Sequence, residues 1–163
     1  MRVFIAAVAA VTAFDQWTKY LVKTGIKMYE GIWVIKDFFR ITHIENSGVA
    51  FGMLSGLPFP AARWILVGII ALATIAISVY WYRTKEKTFF YNLACGLITG
   101  GAVGNLIDRI RAGRITDFLE FGIRGATFPV FNVADSAVTV GVAIFIIHVL
   151  NEGKAGKNAS DTL

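Results

Sequence analysis

Four apolar runs dominate the chain and predict helices at residues 4–23, 61–82, 89–108 and 133–150. Each is near the roughly 20 residues needed to cross a bilayer core of about 30 Å. Four crossings would put both termini on one side and the two long connections, Thr24 to Pro60 and Arg109 to Phe131, on the other. The second run is the plainest. It carries no charge from Ile65 to Tyr80, and Trp64, Trp81 and Tyr82 sit where interfacial aromatics belong, so it reads as a lipid-facing anchor. In the third, Gly96, Gly100, Gly101 and Gly104 form a small-residue face on which another helix can pack closely. The fourth starts after Pro129, with Asn132 as N-cap and Asp135 in the first turn. In the first long connection, Gly31 to Ile44 mixes β-branched and aromatic residues around Lys36-Asp37, a hairpin signal leading to an Asn46-Ser47-Gly48 turn. The expected fold is a mainly α membrane protein: four transmembrane helices, with a small β-sheet or cradle and loops at the outer surface. Residues 1–150 make one polytopic domain, and 151–163 a polar, disordered tail.

Composition supports this picture and narrows it. Of 163 residues, 56% are hydrophobic, above the roughly 45–50% usual in soluble domains. The N-terminal Arg2 and Ala-Val-Ala-Ala suggest a cleaved secretory signal, but the pattern continues through Lys19 to Val22 and reads as a spanning helix. The net charge of +5 comes from Lys and Arg scattered between apolar runs, which favours anionic lipid headgroups as partners over nucleic acid. Basic residues at the termini and in the 83–87 loop are outnumbered by those in the long connections, so counting charges does not orient the chain. Cys95 is the only cysteine, which excludes an intrachain disulfide and a cysteine-based metal site.

Several polar residues interrupt the apolar runs. Asp15 and Lys19, four apart on one helix face, must pair or face a polar interior, as a structural ion pair or with a chemical role. Asn46 to Phe51 starts as a turn and ends apolar; its Asn is either a turn residue or a holder of substrate backbone. Asn105, Asp108 and Arg109 close the third helix, where Asp108 with a nearby Arg can anchor the helix end. Asp117 and Asp135 lie at the same membrane face. One reading makes them a loop carboxylate and a helix-start carboxylate. The other makes them a dyad in which one group keeps a proton and the other stays basic, which is the chemistry of peptide hydrolysis by activated water.

Other chemistries fit less well. His43 and His148 are far apart, against a histidine metal site or a Ser-His-Asp triad. A Ser-Lys protease using Ser47 or Ser136 with Lys19 would need a free amine, and Asp15 is within reach of that amine. A proton-relay or transport subunit using Asp15, Lys19, Asp108 and Asp135, and a lipid-binding scaffold without turnover, are the non-hydrolytic alternatives.

Asp-Gln-Trp-Thr-Lys (15–19), Asn-Ser-Gly-Val-Ala-Phe (46–51), Gly-Gly-Ala-Val-Gly-Asn-Leu-Ile-Asp-Arg (100–109), Thr-Asp-Phe (116–118) and Phe-Asn-Val-Ala-Asp (131–135) together resemble the successive motifs of bacterial lipoprotein signal peptidases. Five motifs in register are far more specific than one. Ile115 stands where that family more often has Val. The resemblance implies an aspartic endopeptidase that removes the signal peptide from diacylglyceryl-modified prolipoproteins, just N-terminal to the lipidated cysteine. It implies Asp117 and Asp135 as the catalytic pair, and Asn46, Gly48, Gly101, Gly104, Asn105, Asp108, Arg109, Asn132 and Ala134 as pocket or support. Asp15 and Lys19 fall in its structural set, and no cofactor or metal is expected. It also implies a monomeric, multi-pass inner-membrane enzyme with both termini cytoplasmic and its site at the periplasmic face. The signal helix is expected to approach over the Gly100 to Gly104 face, and Gly31 to Phe51 to cradle the lipid-bearing segment.

Overall fold

A computed structural model describes residues 1–48, 59–85, 87–123 and 126–160, with the side chains of Phe59 and 152–160 outside that description. The elements run α1 (Arg2–Gly25), β1 (Gly31–Ile35), β2 (Phe39–Asn46), α2 (Phe59–Arg83), α3 (Phe89–Ala112), β3 (Ile115–Ile123), β4 (Ala126–Thr127) and α4 (Val133–Ser160). Three of the helices, α2, α3 and α4, hold stretches long and apolar enough to cross a membrane. The fold is mainly helical, with one small antiparallel sheet.

Helix α3 is the hub. It packs closely against α1, α2 and α4, whereas α2 makes its close backbone approach to α3 and reaches α1 and α4 through the rings of Trp81 and Tyr80. The glycine face explains this position, because it lets two helices approach α3 at once. A Cβ at Gly96 would stand 2.7 Å from Ala7, and one at Gly100 would stand 3.0 Å from Val11, both on α1. A Cβ at Gly101 would run into the Ala134 carbonyl of α4, and one at Gly104 would stand 2.6 Å from Asp15 Oδ2. The face expected to admit a substrate helix is therefore filled by the protein's own α1 and α4. Close backbone packing of this kind supplies dispersion contacts where lipid offers no hydrophobic drive between helices.

Helix α3 is also fixed at both ends. Thr88 caps its start by accepting from the Tyr91 N–H at 3.2 Å. Gly113, at φ 73°, ends it in the left-handed conformation and donates to the Arg109 carbonyl at 3.1 Å. Arg63 of α2 donates to the same carbonyl at 3.0 Å, and this joins the N-terminal end of α2 to the C-terminal end of α3. Asp108 and Arg109 thus lie a turn inside the helix instead of closing it. Helix α2 has almost no buried residue along its apolar stretch, as expected of an anchor facing lipid. Trp81 departs from the expected interfacial placement: it is buried, stacks on Phe4 with centroids 3.9 Å apart, and donates its indole N–H to Asn92 at 2.9 Å. That buried amide gives the indole the partner it needs away from water.

At the end where α3 stops and α4 starts, the two long connections form one sheet in the order β1-β2-β3-β4, each pair antiparallel. The hairpin of β1 and β2 matches the hairpin signal in Gly31 to Ile44. Ile32, Trp33, Val34 and Ile35 of β1, on both faces of this edge strand, and Phe38 in the turn are exposed. Strand β3 comes from the second connection and lies against the end of α1 and α3. Helix α4 runs on through the polar stretch to Ser160, ten residues beyond the expected end. That stretch holds no proline, so a helix already nucleated by the apolar run can propagate through it. Residues 161–163 and Val49 to Phe51 lie outside the described residues.

Candidate active site

Strand β3 and the first turn of α4 bring Asp117 and Asp135 to one place, and a single asparagine touches both. Asn132 donates its side-chain amide to Asp117 Oδ1 at 2.7 Å, and its backbone N–H to Asp135 Oδ2 at 3.2 Å. Its own Oδ1 accepts from the Asp135 N–H at 3.0 Å. The last two contacts form a reciprocal capping box at the start of α4, with Asp in the position usually taken by Glu or Gln. Asn132 is fully buried, as helix starts require when their free N–H groups cannot reach water.

Each carboxylate has a second amide donor. Asn46 gives its Nδ2 to Asp117 Oδ2 at 2.8 Å, while its Oδ1 accepts from the Gly48 N–H at 2.7 Å. Gly48 sits at φ 77°, a conformation that favours glycine, so this turn orients the Asn46 amide with its N–H₂ toward the aspartate. Asn105 gives Nδ2 to Asp135 Oδ1 at 2.8 Å, and its Oδ1 accepts from Asn132 at 3.2 Å and from Lys19 Nζ at 3.0 Å. Three asparagines, one from each of β2, α3 and the α4 start, therefore surround the two acids with donors.

Asp117 is 3% exposed. Burial, more than any other influence, pushes its carboxyl up to about 6; the neighbouring Asp135 pushes the same way, while the bonds from Asn46 and Asn132 pull down. A carboxyl in that range can hold or release a proton near neutrality.

Below the acids lies an ionic layer. Lys19 is 2% exposed and meets Asp15 at 2.8 Å and Asp108 at 2.9 Å. With Asn105 this uses all three of its N–H groups, so no amine is left free for a Ser-Lys mechanism. Ser136 Oγ donates to the Asn132 carbonyl at 2.9 Å instead. Asp15 also accepts from the Ala134 N–H at 2.9 Å, which ties α1 to the start of α4. Ala134 is fully buried against Gly101 and Gly104, with its carbonyl facing the first and its methyl the second. The partner of Asp108 is Lys19, not a neighbouring Arg. Arg109 is 3% exposed, donates to the Gly113 carbonyl at 3.2 Å, and lies directly against Gly48, whose missing side chain makes room for it. Gln16 is a residue that sequence reasoning did not single out: its amide donates to Asp15, Asp108 and the Gly104 carbonyl at 3.1–3.2 Å. An uncharged residue in an apolar run gives little signal beyond its place next to Asp15.

Beyond the Tyr80–Phe145 contact α2 and α4 stand apart, and a groove of about 410 Å³ opens between them. Ile70, Thr74, Ile98, Ala102 and Val138 line it, and Asn105 and Asp135 stand in its wall. It is a larger cavity than the polar crevice at Lys23 and Arg111, and it reaches one member of the acid pair. Among the described residues no three His, Cys, Asp or Glu side chains gather as a metal-ligand set.

The sequence profile described as Signal peptidase (SPase) II matches residues 7–151. The chain is 42% identical to the lipoprotein signal peptidase of Symbiobacterium thermophilum, over 92% of its own length and 94% of that protein's. It is 40% identical to the lipoprotein signal peptidase of Halothermothrix orenii, over 91% of this chain and 96% of the other. Its fold is similar to that of a bacterial membrane enzyme solved by the in meso method at 1.9 Å resolution. The TM-score is 0.82 and the identity 35%, covering 92% of this chain and 94% of that one.

Proposed function

The chain belongs to the signal peptidase II family, and on that footing we propose that it removes signal peptides from diacylglyceryl-modified prolipoproteins, with Asp117 and Asp135 as its catalytic pair. The observation that carries the assignment is Asn132, which binds both carboxylates at once. Two acids held on one residue cannot both ionise easily, so one keeps a proton.

In the reaction, the ionised member takes a proton from water as its oxygen attacks the scissile carbonyl carbon just before the lipidated cysteine. The protonated member donates to the developing oxyanion. Collapse of the tetrahedral intermediate breaks the C–N bond, and the leaving amine of the cysteine takes up a proton from the pair. The buried setting of Asp117, with burial holding its carboxyl up to about 6, suits the role of proton holder. Asn46, Asn105 and Asn132 aim the carboxyl oxygens; Gly48, Gly101, Gly104 and Ala134 provide the close approaches; Arg109 supports the Asn46 turn. Asp15, Lys19 and Asp108 hold α1, α3 and α4 together beneath.

The substrate is an apolar helix that starts in the bilayer, and the groove between α2 and α4 suits it: apolar along its length, with Asp135 in its wall. It replaces the glycine face as the substrate path. The exposed apolar surface of the β1–β2 hairpin suits contact with acyl chains near the cut. We read all four helices as crossing a bacterial inner membrane, with residues 1–150 as one domain, both termini cytoplasmic, the pair at the periplasmic face, and the protein acting as a monomer. In α1 the buried charges lower the apolar character but are paired internally, as intramembrane charges must be.

The test is cleavage of a purified lipidated precursor by wild type, Asp117→Asn and Asp135→Asn in detergent, read by mass spectrometry. Product from wild type alone is expected. A folded single variant that cuts at the wild-type rate would remove its aspartate from the mechanism, and a wild type that binds the precursor without cutting would point to a scaffold.

A further inference from the structure

Behind the strands that carry Asn46 and Asp117 lies a second polar cluster that the reaction does not use. The pairing of Ile44 with Asp117 and of Asn46 with Ile115 sets Asn46 and Asp117 on one face of the sheet. The pairing of Glu45 with Thr116 sets these two on the opposite face, which lies toward α1. His43, two residues before Glu45 in β2, points to that face as well, and it is buried.

Three groups converge on one oxygen there. Glu45 Oε1 accepts from Thr116 Oγ1 at 3.1 Å, and has His43 Nε2 at 3.3 Å and Lys23 Nζ at 3.7 Å. The Glu45 side chain is 10% exposed and Thr116 is fully buried. His43 Nδ1 lies 2.8 Å from the Ile26 carbonyl. A carbonyl only accepts, so that nitrogen carries the hydrogen, and the ring ties β2 to the end of α1.

We propose that Glu45 is a positioning residue for the Asn46–Asp117 pair. It precedes Asn46 in β2, and its partner Thr116 precedes Asp117 in β3, so one buried contact fixes the rotation of both strands at the step before each site residue. The 2.8 Å bond between Asn46 and Asp117 on the front face depends on that rotation. Lys23 balances the buried carboxylate from α1, and β3 offers it only the Thr116 hydroxyl. The inference rests on Asp117 being catalytic.

Steady-state cleavage of lipidated precursor by the full-length wild type, Glu45→Ala, Glu45→Gln and Thr116→Val tests it, with Asp117→Asn alongside and thermal midpoints for all. Loss of positioning lowers kcat between about tenfold and a hundredfold in Glu45→Ala and Thr116→Val, with KM within about twofold of wild type. Glu45→Gln, whose Oε1 still accepts from Thr116, recovers most of the rate. Thr116→Val preserves shape, so it separates a lost contact from a lost fold. The proposal is overturned by wild-type kcat in both Glu45→Ala and Thr116→Val, by a change confined to KM, or by a Glu45→Gln variant as slow as Glu45→Ala. If Asp117→Asn cuts as fast as wild type, the dyad reading fails first and takes this inference with it.

Discussion

Removing the Asn46 donor should move the alkaline limb of the pH–rate profile upward. The active dyad holds one proton, so kcat/KM falls on the alkaline side as that proton is lost. With Asp117 as the proposed proton holder, its carboxyl, pushed up to about 6 from an ordinary 3.8, would set the limb. Its displacement of about 2 pH units corresponds to roughly 3 kcal/mol against ionisation. The Asn46 amide, 2.8 Å from Oδ2, works the other way, because it donates to the charged form. A hydrogen bond to a carboxylate is worth about 1.5–3 kcal/mol, or about one to two pH units. In Asn46→Leu that stabilisation of the ionised form is gone and the proton is held more tightly. The limb should therefore shift from near pH 6 to about 7–8. The assay is kcat/KM on a lipidated peptide from pH 4 to 9, reading the position of the limb and not its height, since the variant is also expected to be slower. A limb that stays put, or moves toward acid, would refute the assignment of Asp117 as proton holder.

Four further outcomes can be measured. Wild-type stability should fall as pH rises from about 4 to 6, by up to roughly 3 kcal/mol: the native carboxyl of Asp117 binds its proton more tightly than the unfolded one, so the cost of ionising it is absent below the unfolded value and complete above the folded one. Flat thermal midpoints across that interval in wild type, compared with Asp117→Asn, would contradict this. Lys19→Met leaves Asp15 and Asp108 buried without their cation and should cost about 3–5 kcal/mol, seen as a large drop in thermal midpoint or loss of folded protein in detergent; an unchanged midpoint would count against the ionic layer. Gly101→Ala forces a methyl into the Ala134 carbonyl and should destabilise by about 1–3 kcal/mol in the same assay, whereas Gly68→Ala, with open space around it, should not. Chelators should leave cleavage unchanged, and inhibition reversed by added zinc would require a metal site in the mechanism.

The helices were legible because apolar length is a strong signal, and α4 began where Asn132 and Pro129 said it would. Strand β3 was not. Ile115 to Phe118 is buried on both faces, so the run has no two-residue alternation to read, and only its partner β2 defines it. The acids could be paired from sequence only through the family resemblance, since their own surroundings allowed a loop and a helix-start carboxylate. What brings them together is Asn132, an ordinary cap by sequence whose side chain happens to reach across to β3. The glycine face was visible, but a small-residue stripe states that something packs closely without saying what; here α1 and α4 fill it. Trp81 looked interfacial because aromatics cluster at helix ends, and it is the polar Asn92 on another helix that draws it inward.

Since Asn132 both initiates α4 and grips the two acids, the first turn of that helix cannot fray without scattering the proposed hydrolytic pair. Local melting at this terminus would silence the enzyme well before the bundle itself came apart. An amide-exchange rate at Asp135 would thus act as a gauge of the fraction of molecules competent to cut.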